Sequence, residues 1–164
     1  MDIRIGLGYD VHRFAAGRKL FLCGIEIDHP LGLLGHSDAD VAIHAVCDAL
    51  LGAVNAGDIG QWFPDNDPTY QNADSKLLLQ KIMQSDELAS WQVGNLDMVI
   101  ITQSPKILPL VPIMRSKMAE LLNCPGDRIS IKGKTTEGLG FTGRSEGIAV
   151  QAVVLMQKRN CLND

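Results

Sequence analysis

The N-terminal segment alternates between two kinds of residue, and this pattern constrains the fold more than any other in the chain. Its odd positions carry the hydrophobic side chains of Ile3, Ile5, Leu7, Tyr9 and Val11. Its even positions carry polar side chains or glycine and end with Asp10 and His12. A period of two is typical of a half-buried β-strand, in which residues two apart lie about 7 Å apart on one face. The sequence therefore predicts a strand that presents Asp10 and His12 together on its polar face.

Further segments follow either the strand period or the helix period. Strand-like patterns cover residues 19–28, 96–101, 129–134 and 148–157. Helical spacing covers residues 37–55, 75–84 and 109–123, and polar loops cover 58–73 and 135–147. Ser37 and Asp40 form a capping pattern at the first helix, and Gly57 is expected to end it. Pro109 or Pro112 is expected in the first turn of the third helix, where a missing N–H costs little. The order of elements predicts an α+β fold with a mixed sheet covered on one face by helices.

Length and charge limit the classes of protein to which the chain can belong. A chain of 164 residues is expected to form one domain, here residues 1–164. With 15 Lys and Arg against 19 Asp and Glu, the net charge is −4, and no long basic tract is present. Nucleic acid attracts proteins through basic surfaces, so it is not an expected partner. We expect a small molecule instead.

No segment of the sequence favours a membrane or a secretory pathway. Strictly aliphatic runs such as residues 98–101 fall far short of the roughly 20 residues that span a bilayer. Asp2 and Arg4 stand where a signal peptide needs an apolar core. The four cysteines are Cys23, Cys47, Cys124 and Cys161. They lack the CxxC spacing of a metal site and are interpreted as buried or incidental thiols of a reducing compartment. We therefore expect a cytoplasmic protein with no membrane partner.

Asp10, His12 and His44 are the strongest candidates for a metal site. The strand pattern places the first two on one face, and His44 lies on a predicted helix that can pack beside that face. One carboxylate and two imidazoles are a common ligand set for zinc, which leaves a fourth position for water or a phosphate oxygen. The residues alone also allow a simpler interpretation, in which His12 is a surface residue of the strand and His44 a capped or core residue of the helix.

The residues before the first long helix are a candidate anion site. His36, Ser37 and Asp38 stand where free N–H groups and the positive end of a helix dipole suit an anion, with Ser37 as the cap. A plain helix start is the simpler interpretation of these residues. Taken alone, the aspartates of the 58–73 loop are likewise explained as ordinary turn residues, and Lys106 as a surface lysine.

Residues 134–144 have the most unusual composition in the chain. Their glycines let backbone N–H groups approach a ligand, while Lys134 and Arg144 add positive charge. Glu137 offers a hard oxygen ligand for Mg²⁺ or Mn²⁺. Phosphate binding is slightly favoured over the alternative, a tight connection between strands with solvated charges. The chain has no Walker A or H-E-x-x-H motif, and we interpret its polar residues as suited to the binding of metals and phosphates rather than to the activation of a nucleophile.

Five segments taken together resemble the 2-C-methyl-D-erythritol 2,4-cyclodiphosphate synthase family of the non-mevalonate isoprenoid pathway. They are residues 6–12, 36–45, 58–60 with 63–65, 105–109 and 135–147. Any one of them is weak, but five in the family order over nearly the whole chain are specific. The chain departs from the family pattern at Gly35, where alanine is expected, at Ala39, where glycine is usual, and at Gly133-Lys134, where Ala-Thr is frequent.

This resemblance implies an intramolecular phosphoryl transfer. In 4-diphosphocytidyl-2-C-methyl-D-erythritol 2-phosphate, the 2-phosphate attacks the β-phosphorus and expels CMP, which leaves 2-C-methyl-D-erythritol 2,4-cyclodiphosphate. By position, Asp10, His12 and His44 would hold one zinc ion per subunit. Glu137 would help to hold a second divalent ion, Mg²⁺ or Mn²⁺.

The resemblance also implies catalytic residues, substrate contacts and an assembly. His36 and Thr135 correspond to residues that stabilise the transition state. The cytidine and its phosphate are expected at Thr102, Gln103, Ser104, Pro105, Lys106, Ile107 and Leu108. The erythritol part is expected at Asp58, Ile59, Gly60, Phe63, Pro64, Asp65, Asn66 and Asp67. The other expected substrate contacts are Asp10, His12, His36, Ser37, Lys134, Thr135, Thr136, Glu137, Phe141 and Arg144. The family forms a homotrimer with active sites between adjacent subunits, and Phe141 and Arg144 would face its centre.

Two other functions fit the same candidate residues. A zinc-dependent nucleotide phosphohydrolase would use the same metal ligands but release linear products. A non-catalytic nucleotide-binding module would hold zinc as a structural ion, which three ligands disfavour because structural zinc is usually closed by four. A cyclic product would distinguish the synthase from the hydrolase, and tight CDP binding without turnover would favour the module.

Overall fold

A five-stranded mixed sheet forms the centre of the molecule. The structure, a computed structural model, describes residues 2–159, so Cys161 and both ends of the predicted 1–164 domain lie outside the described residues. The strands of this sheet are β1 (Ile3–Ala15), β4 (Gly32–Leu33), β5 (Trp91–Ile101), β6 (Ile129–Lys134) and β7 (Gly147–Lys158). Two further strands, β2 (Leu20–Leu22) and β3 (Ile25–Ile27), form a separate pair. The sheet has the order β4-β1-β7-β5-β6, with β5 and β6 parallel and its other pairs antiparallel. The predicted mixed sheet is confirmed.

Helices cover one face of this sheet. They are α1 (Val41–Val54), α2 (Ile59–Trp62), α3 (Ser75–Met83), α4 (Val111–Leu121) and α5 (Gly140–Gly143), with single 3₁₀ turns at Pro68–Tyr70, Leu108–Leu110 and Gly126–Arg128. Helix α1 packs on β1 and β7, α4 packs on β6, and α3 contacts both α1 and α4. The short helices α2 and α5 lie in the segments predicted as loops. The α+β class is confirmed, and no described helix is long and apolar enough to cross a bilayer.

The segment 19–28, predicted as one strand, forms a hairpin instead. Strands β2 and β3 pair antiparallel, with Leu22 opposite Ile25. Between them, Cys23 and Gly24 both have positive φ, at 56° and 75°, as a two-residue hairpin turn requires. The carboxylate of Asp40 accepts the N–H groups of Cys23 at 3.0 Å and Gly24 at 2.6 Å. The contact with Asp40 therefore stabilises a turn that the strand-like pattern of residues 19–28 does not predict.

Helix α1 begins at Val41, four residues after the predicted start. Its N-cap is Asp40 rather than Ser37, because Oδ1 of Asp40 accepts the N–H groups of Ala42 and Ile43 at 3.1 Å each. Ser37 lies further upstream, where its hydroxyl accepts a different backbone N–H. Asp40 is fully buried, and this burial raises its pKa although the bound N–H groups partly offset the effect. One buried carboxylate thus joins the hairpin to the start of α1.

The far ends of the helices follow local backbone chemistry. Asn55 takes the left-handed conformation, with φ of 60°, directly after α1. The helix therefore ends before Gly57, the residue expected to end it. Pro112 lies in the first turn of α4, as predicted, whereas Pro109 lies in the preceding 3₁₀ turn.

Strand β1 reverses the usual orientation of an alternating strand. Its hydrophobic odd positions point away from the helices, and Ile5 and Leu7 are 68% and 59% exposed. Its even positions face α1, because a Cβ on Gly6 or Gly8 would lie 1.8 Å from a carbonyl oxygen of that helix. The two glycines therefore allow the helix to lie directly against the strand backbone.

Candidate metal centre and substrate cavities

Asp10, His12 and His44 meet where α1 crosses β1. Oδ2 of Asp10 lies 3.0 Å from Nε2 of His12 and 3.1 Å from Nδ1 of His44. The two ring nitrogens are 3.1 Å apart, and one ligand atom from each residue lies within 4.8 Å of the others. Gly6 and Gly8 make this possible, since they let α1 approach the face of β1 that carries Asp10. The predicted juxtaposition is confirmed.

Charge in this cluster is governed by burial and by Asp10. Burial alone would raise the pKa of Asp10, but hydrogen bonds and attraction to His12 and His44 outweigh it and hold this pKa well below its usual value. Burial alone would also lower the pKa of His12, but Asp10 and the Leu34 carbonyl raise it above 6.5. The cluster by itself therefore favours a carboxylate beside a protonated imidazole.

Both histidines anchor one ring nitrogen in the protein and direct the other into the cluster. Nδ1 of His12 lies 2.8 Å from the Leu34 carbonyl oxygen, which can only accept. When the His12 ring is neutral, Nδ1 therefore keeps its proton and Nε2 offers its lone pair. Nε2 of His44 lies 3.0 Å from the Ser75 hydroxyl and 3.2 Å from that of Ser37. Anchoring of the outer nitrogen is typical of metal-binding histidines.

A cavity of about 370 Å³, the first cavity, opens beside this cluster. Besides the three cluster residues, the predicted site residues that line it are His36, Ser37, Ile59, Gly60, Phe63 and Asp65. Nε2 of His36 is buried and has no hydrogen-bond partner among the described residues. His36 therefore lines the first cavity and carries a ring nitrogen that no described residue satisfies.

Sequence reasoning did not identify all the residues that line the first cavity. The additional lining residues are Leu34, Gly35, Tyr70 and Leu78. Apolar side chains and a glycine carry no sequence signal for a ligand. Asp58, Pro64, Asn66 and Asp67 come from the same predicted contact segment but are not among the lining residues. Asp58 and Asp67 instead accept backbone N–H groups at the starts of α2 and of the 3₁₀ turn that follows it.

A further cavity of about 400 Å³, the second cavity, lies beside β6, the strand at the far edge of the sheet. The predicted contacts that line it are Thr102, Pro105, Lys106, Ile107, Leu108, Lys134 and Thr135. Gln103 and Ser104 belong to the same loop, and the Ser104 hydroxyl lies 3.3 Å from Nε2 of His29. Strands β7 and β5 separate β1 from β6, a span of roughly 14 Å at the usual strand spacing. The predicted substrate contacts that line a cavity are therefore divided between two separate cavities of one chain.

The remaining candidates, Thr136, Glu137, Phe141 and Arg144, follow β6. The Thr135 hydroxyl donates to Oε1 of Glu137 at 2.7 Å. Arg144 is exposed and pairs with Glu146 at 2.7 Å. Glu137 is not part of the cluster formed by Asp10, His12 and His44. Its assignment to a second metal ion stays a prediction.

Asp48 is a further residue at this site that sequence reasoning missed. It lies one turn after His44 on α1, and its Oδ1 accepts the N–H of Ile59 at 2.8 Å. Burial raises its pKa, and the negative charges of Asp10 and Asp58 act in the same direction. Asp48 therefore ties the segment that lines the first cavity to the helix that carries His44. The i, i+4 spacing from His44 is the sequence signal that could have identified it.

Comparisons with known proteins agree over nearly the whole chain. The model of the YgbB family matches residues 3–157. A curated relative from Geobacter sulfurreducens, named 2-C-methyl-D-erythritol 2,4-cyclodiphosphate synthase, is 54% identical and covers 96% of this chain and 100% of its own. A solved structure of a synthase of that name with bound CDP is 39% identical, with a TM-score of 0.85, over 94% of this chain and 100% of that one. The bifunctional IspDF of Campylobacter jejuni is 40% identical, with a TM-score of 0.91, and this chain spans 96% of itself but 43% of that protein.

Proposed function

The chain belongs to the YgbB family, and from this membership we propose that it makes 2-C-methyl-D-erythritol 2,4-cyclodiphosphate, as the names of its relatives state. In the substrate, 4-diphosphocytidyl-2-C-methyl-D-erythritol 2-phosphate, an oxygen of the 2-phosphate bonds to the β-phosphorus. The bond from that phosphorus to CMP breaks, and CMP leaves with the electron pair. The product belongs to non-mevalonate isoprenoid biosynthesis. The observation that carries the proposal is the cluster of Asp10, His12 and His44 beside the first cavity.

Zinc is the ion that best fits this cluster. A carboxylate oxygen and two imidazole nitrogens are ligands that zinc prefers, and catalytic zinc sites commonly have three protein ligands. When bound, zinc would supply Lewis-acid stabilisation of negative charge on the substrate. Glu137, whose carboxylate is held by Thr135, would help to bind a second divalent ion, Mg²⁺ or Mn²⁺, since these ions prefer oxygen ligands.

The remaining side chains bind, orient and neutralise two phosphate groups of one molecule. A phosphate monoester is already anionic near pH 7, so the nucleophile needs no general base. The barrier lies in bringing two anions together and in stabilising the charge that develops on CMP. Nε2 of His36, which has no partner among the described residues, would donate to a phosphate oxygen once the ring turns toward the first cavity, and Thr135 would do so by exchanging its hydrogen bond to Glu137 for one to phosphate. These roles follow the family positions and the chemistry of the two residues.

A cytidine nucleotide is the expected leaving part of the substrate. It is supported by the relative whose solved structure contains CDP. The loop from Thr102 to Leu108 would receive it, with Lys106 and Lys134 supplying positive charge to the phosphates in the second cavity. The curated relatives are named as synthases, so they give no support to the phosphohydrolase alternative.

A homotrimer would bring the two cavities into one active site. With active sites between adjacent subunits, as the family resemblance implies, the first cavity of one subunit would face the second cavity of its neighbour. The exposed hydrophobic face of β1 supports such an assembly, because an extended apolar surface of this kind usually marks a protein interface. A cytoplasmic location stays a prediction.

Phosphorus NMR of the purified protein with the cytidine-linked substrate and Mg²⁺ tests the reaction. We expect CMP together with a coupled pair of diphosphate signals from a cyclic product, both suppressed by a zinc chelator. CMP with linear phosphates only would contradict the synthase. A metal-loaded protein that binds CDP without any turnover would favour a binding module.

Two variants separate the two metal ions in this experiment. His44→Ala should lose zinc and activity together, because it removes one of three zinc ligands. Glu137→Gln should raise the Mg²⁺ concentration needed for turnover while zinc content stays near that of the unmodified protein. Full turnover by either variant would contradict the role assigned to that residue.

A further inference from the structure

Ser75, the first residue of α3, connects His44 to a carboxylate outside the cluster. Its side chain is fully buried, and its Oγ lies 3.0 Å from Nε2 of His44. The same hydroxyl makes a short hydrogen bond to Oδ1 of Asp38. Oδ2 of Asp38 accepts the backbone N–H of Ser75 at 3.1 Å. Asp38, Ser75 and His44 are therefore joined by consecutive hydrogen bonds that end at the candidate metal centre. We call these three residues and their hydrogen bonds the outer relay.

The direction of each hydrogen bond in the outer relay follows from the groups involved. A carboxylate can only accept, so the Ser75 hydroxyl must donate its proton to Asp38. Its oxygen lone pairs are then free to accept a proton from Nε2 of His44. A neutral His44 with its proton on Nε2 has its lone pair on Nδ1, the nitrogen that lies 3.1 Å from both Asp10 and His12. The outer relay therefore favours the tautomer that can bind a metal.

Two neighbouring groups act on the same imidazole. Oδ2 of Asp10 accepts hydrogen bonds and would by itself favour a proton on Nδ1 of His44. The Ser37 hydroxyl lies 3.2 Å from Nε2 and 3.4 Å from Oγ of Ser75, while it accepts the N–H of Ala39 at 3.0 Å. With Ser75 committed to Asp38, Ser37 can donate to Oγ of Ser75 and share the Nε2 proton. The outer relay opposes the preference of Asp10.

The backbone holds the outer relay in place independently of the cluster. The Asn72 N–H donates to the His36 carbonyl at 2.7 Å, and the Asp38 N–H donates to the Ala73 carbonyl at 3.0 Å. The start of α3 is thereby fixed beside the segment that carries Asp38. His12 needs no such device, because the Leu34 carbonyl already fixes its outer nitrogen.

We propose that Ser75 and Asp38 are positioning residues for the metal centre, which hold His44 in the tautomer with its proton on Nε2 and so strengthen metal binding. This inference rests on the metal site of the proposed function. Outer partners of this kind typically change metal affinity by about 10- to 100-fold when they are removed. Neither residue belongs to the cluster of candidate metal ligands.

The test is the zinc affinity of the full-length protein, measured by competition with a chromophoric chelator. Ser75→Ala should weaken zinc binding by about 10- to 100-fold. Ser85→Ala is the matched control, because it removes a hydroxyl just beyond the other end of α3 whose Oγ has no partner among the described residues. The control should bind zinc as the unmodified protein does. Unchanged zinc affinity in Ser75→Ala, even with a lower melting temperature of the zinc-free form, would overturn the proposal.

Nitrogen NMR of the His44 ring tests the proposal without a variant that must fold. At about pH 8.5, where an ordinary imidazole is neutral, the zinc-free unmodified protein should carry the His44 proton on Nε2. A proton on Nδ1 would overturn the outer relay even if zinc binds normally. Failure of the unmodified protein to bind zinc would instead contradict the proposed function itself, and this inference with it.

Discussion

At the scale of single residues, Gly35 and Ala39 share the space of one methyl group beside the metal centre. A Cβ on Gly35 would lie 2.9 Å from the Cβ of Ala39 and 3.1 Å from Cε1 of His12. Ala39 has a φ of 58°, in the left-handed region that favours glycine. The family resemblance implies alanine at position 35 and glycine at position 39, the reverse of what this chain carries. The shared space would account for both differences as one exchange of a methyl group.

This exchange predicts strong coupling between the two positions. Gly35→Ala alone should lower the free energy of unfolding by about 1–3 kcal/mol, because the new methyl overlaps that of Ala39. Adding Ala39→Gly should restore most of this loss, since it removes the overlapping methyl and a strained backbone conformation. Urea unfolding of the two single variants and the double variant measures the coupling. Additive effects would contradict the shared space.

His12 predicts how zinc binding depends on pH. Its pKa lies above 6.5 in the folded protein without metal, because Asp10 and the Leu34 carbonyl favour its charged form. The resulting stabilisation is complete below pH 6.5 and is lost as pH rises through the raised pKa. Zinc needs the neutral ring, so its apparent affinity should rise with pH up to the raised pKa and then level off. Calorimetric titrations in buffers of different ionisation enthalpy should detect about one proton released per zinc below the raised pKa. Affinity that does not change across this interval would contradict the assignment.

At the scale of elements, the contact between β1 and α1 sets the position of His44. Gly8→Ala would place a Cβ 1.8 Å from the carbonyl oxygen of Ala45, the residue after His44. The helix must then move away, which should lower the free energy of unfolding by about 3 kcal/mol or more. Zinc binding should weaken at the same time, because His44 moves with the helix.

The control for Gly8→Ala is a glycine on helix α1 at which an added Cβ would contact no other atom. A Cβ on Gly52 would have no neighbour within 4 Å. Gly52→Ala should therefore stabilise the protein by about 1 kcal/mol through helix propensity, with zinc affinity unchanged. Thermal unfolding and chelator competition on both variants provide the comparison. Normal zinc binding in Gly8→Ala would show that the approach of α1 does not govern the cluster.

The sequence predicts those elements and site residues whose signal is local. The period of β1 and the helical spacing around His44 identify both partners of the metal cluster, and the structure brings them together. The hairpin after Leu20 escapes detection because Cys23 stands before Gly24 where Asn or Asp would mark such a turn, and the distant Asp40 stabilises it. Ser75 escapes detection for a similar reason, since its contact with His44 depends on how α3 packs. Contacts between residues far apart in the sequence leave no periodic pattern in it, so the sequence alone does not predict them.

At the scale of the whole molecule, the sheet has one face covered by helices and one hydrophobic face left open. Leu7 on β1 pairs with Val153 on β7, and the two are 59% and 39% exposed. If this face forms the centre of a homotrimer, Leu7→Asp should dissociate it, because each subunit would bury an unpaired charge at the interface. Sedimentation velocity measures the assembly.

The matched control carries the same change on a helix. Leu77 on α3 is 55% exposed, and Leu77→Asp should leave the assembly intact. A trimer that persists in Leu7→Asp would place the interface elsewhere, and a monomeric unmodified protein would contradict the trimer. Activity should fall with dissociation, since the proposed site combines cavities from two subunits.

The alternation of β1 also has a consequence for how such a gene can change over time. Metal ligands and interface residues occupy even and odd positions of one strand, so substitutions can alter either set one residue at a time. A single codon inserted or deleted within β1, before Asp10, would shift the register of the strand by one residue and exchange its two faces. It would turn the metal ligands outward and press hydrophobic side chains against the backbone of α1. We therefore expect lineages of this protein to vary in the composition of this stretch while its length is inherited unchanged.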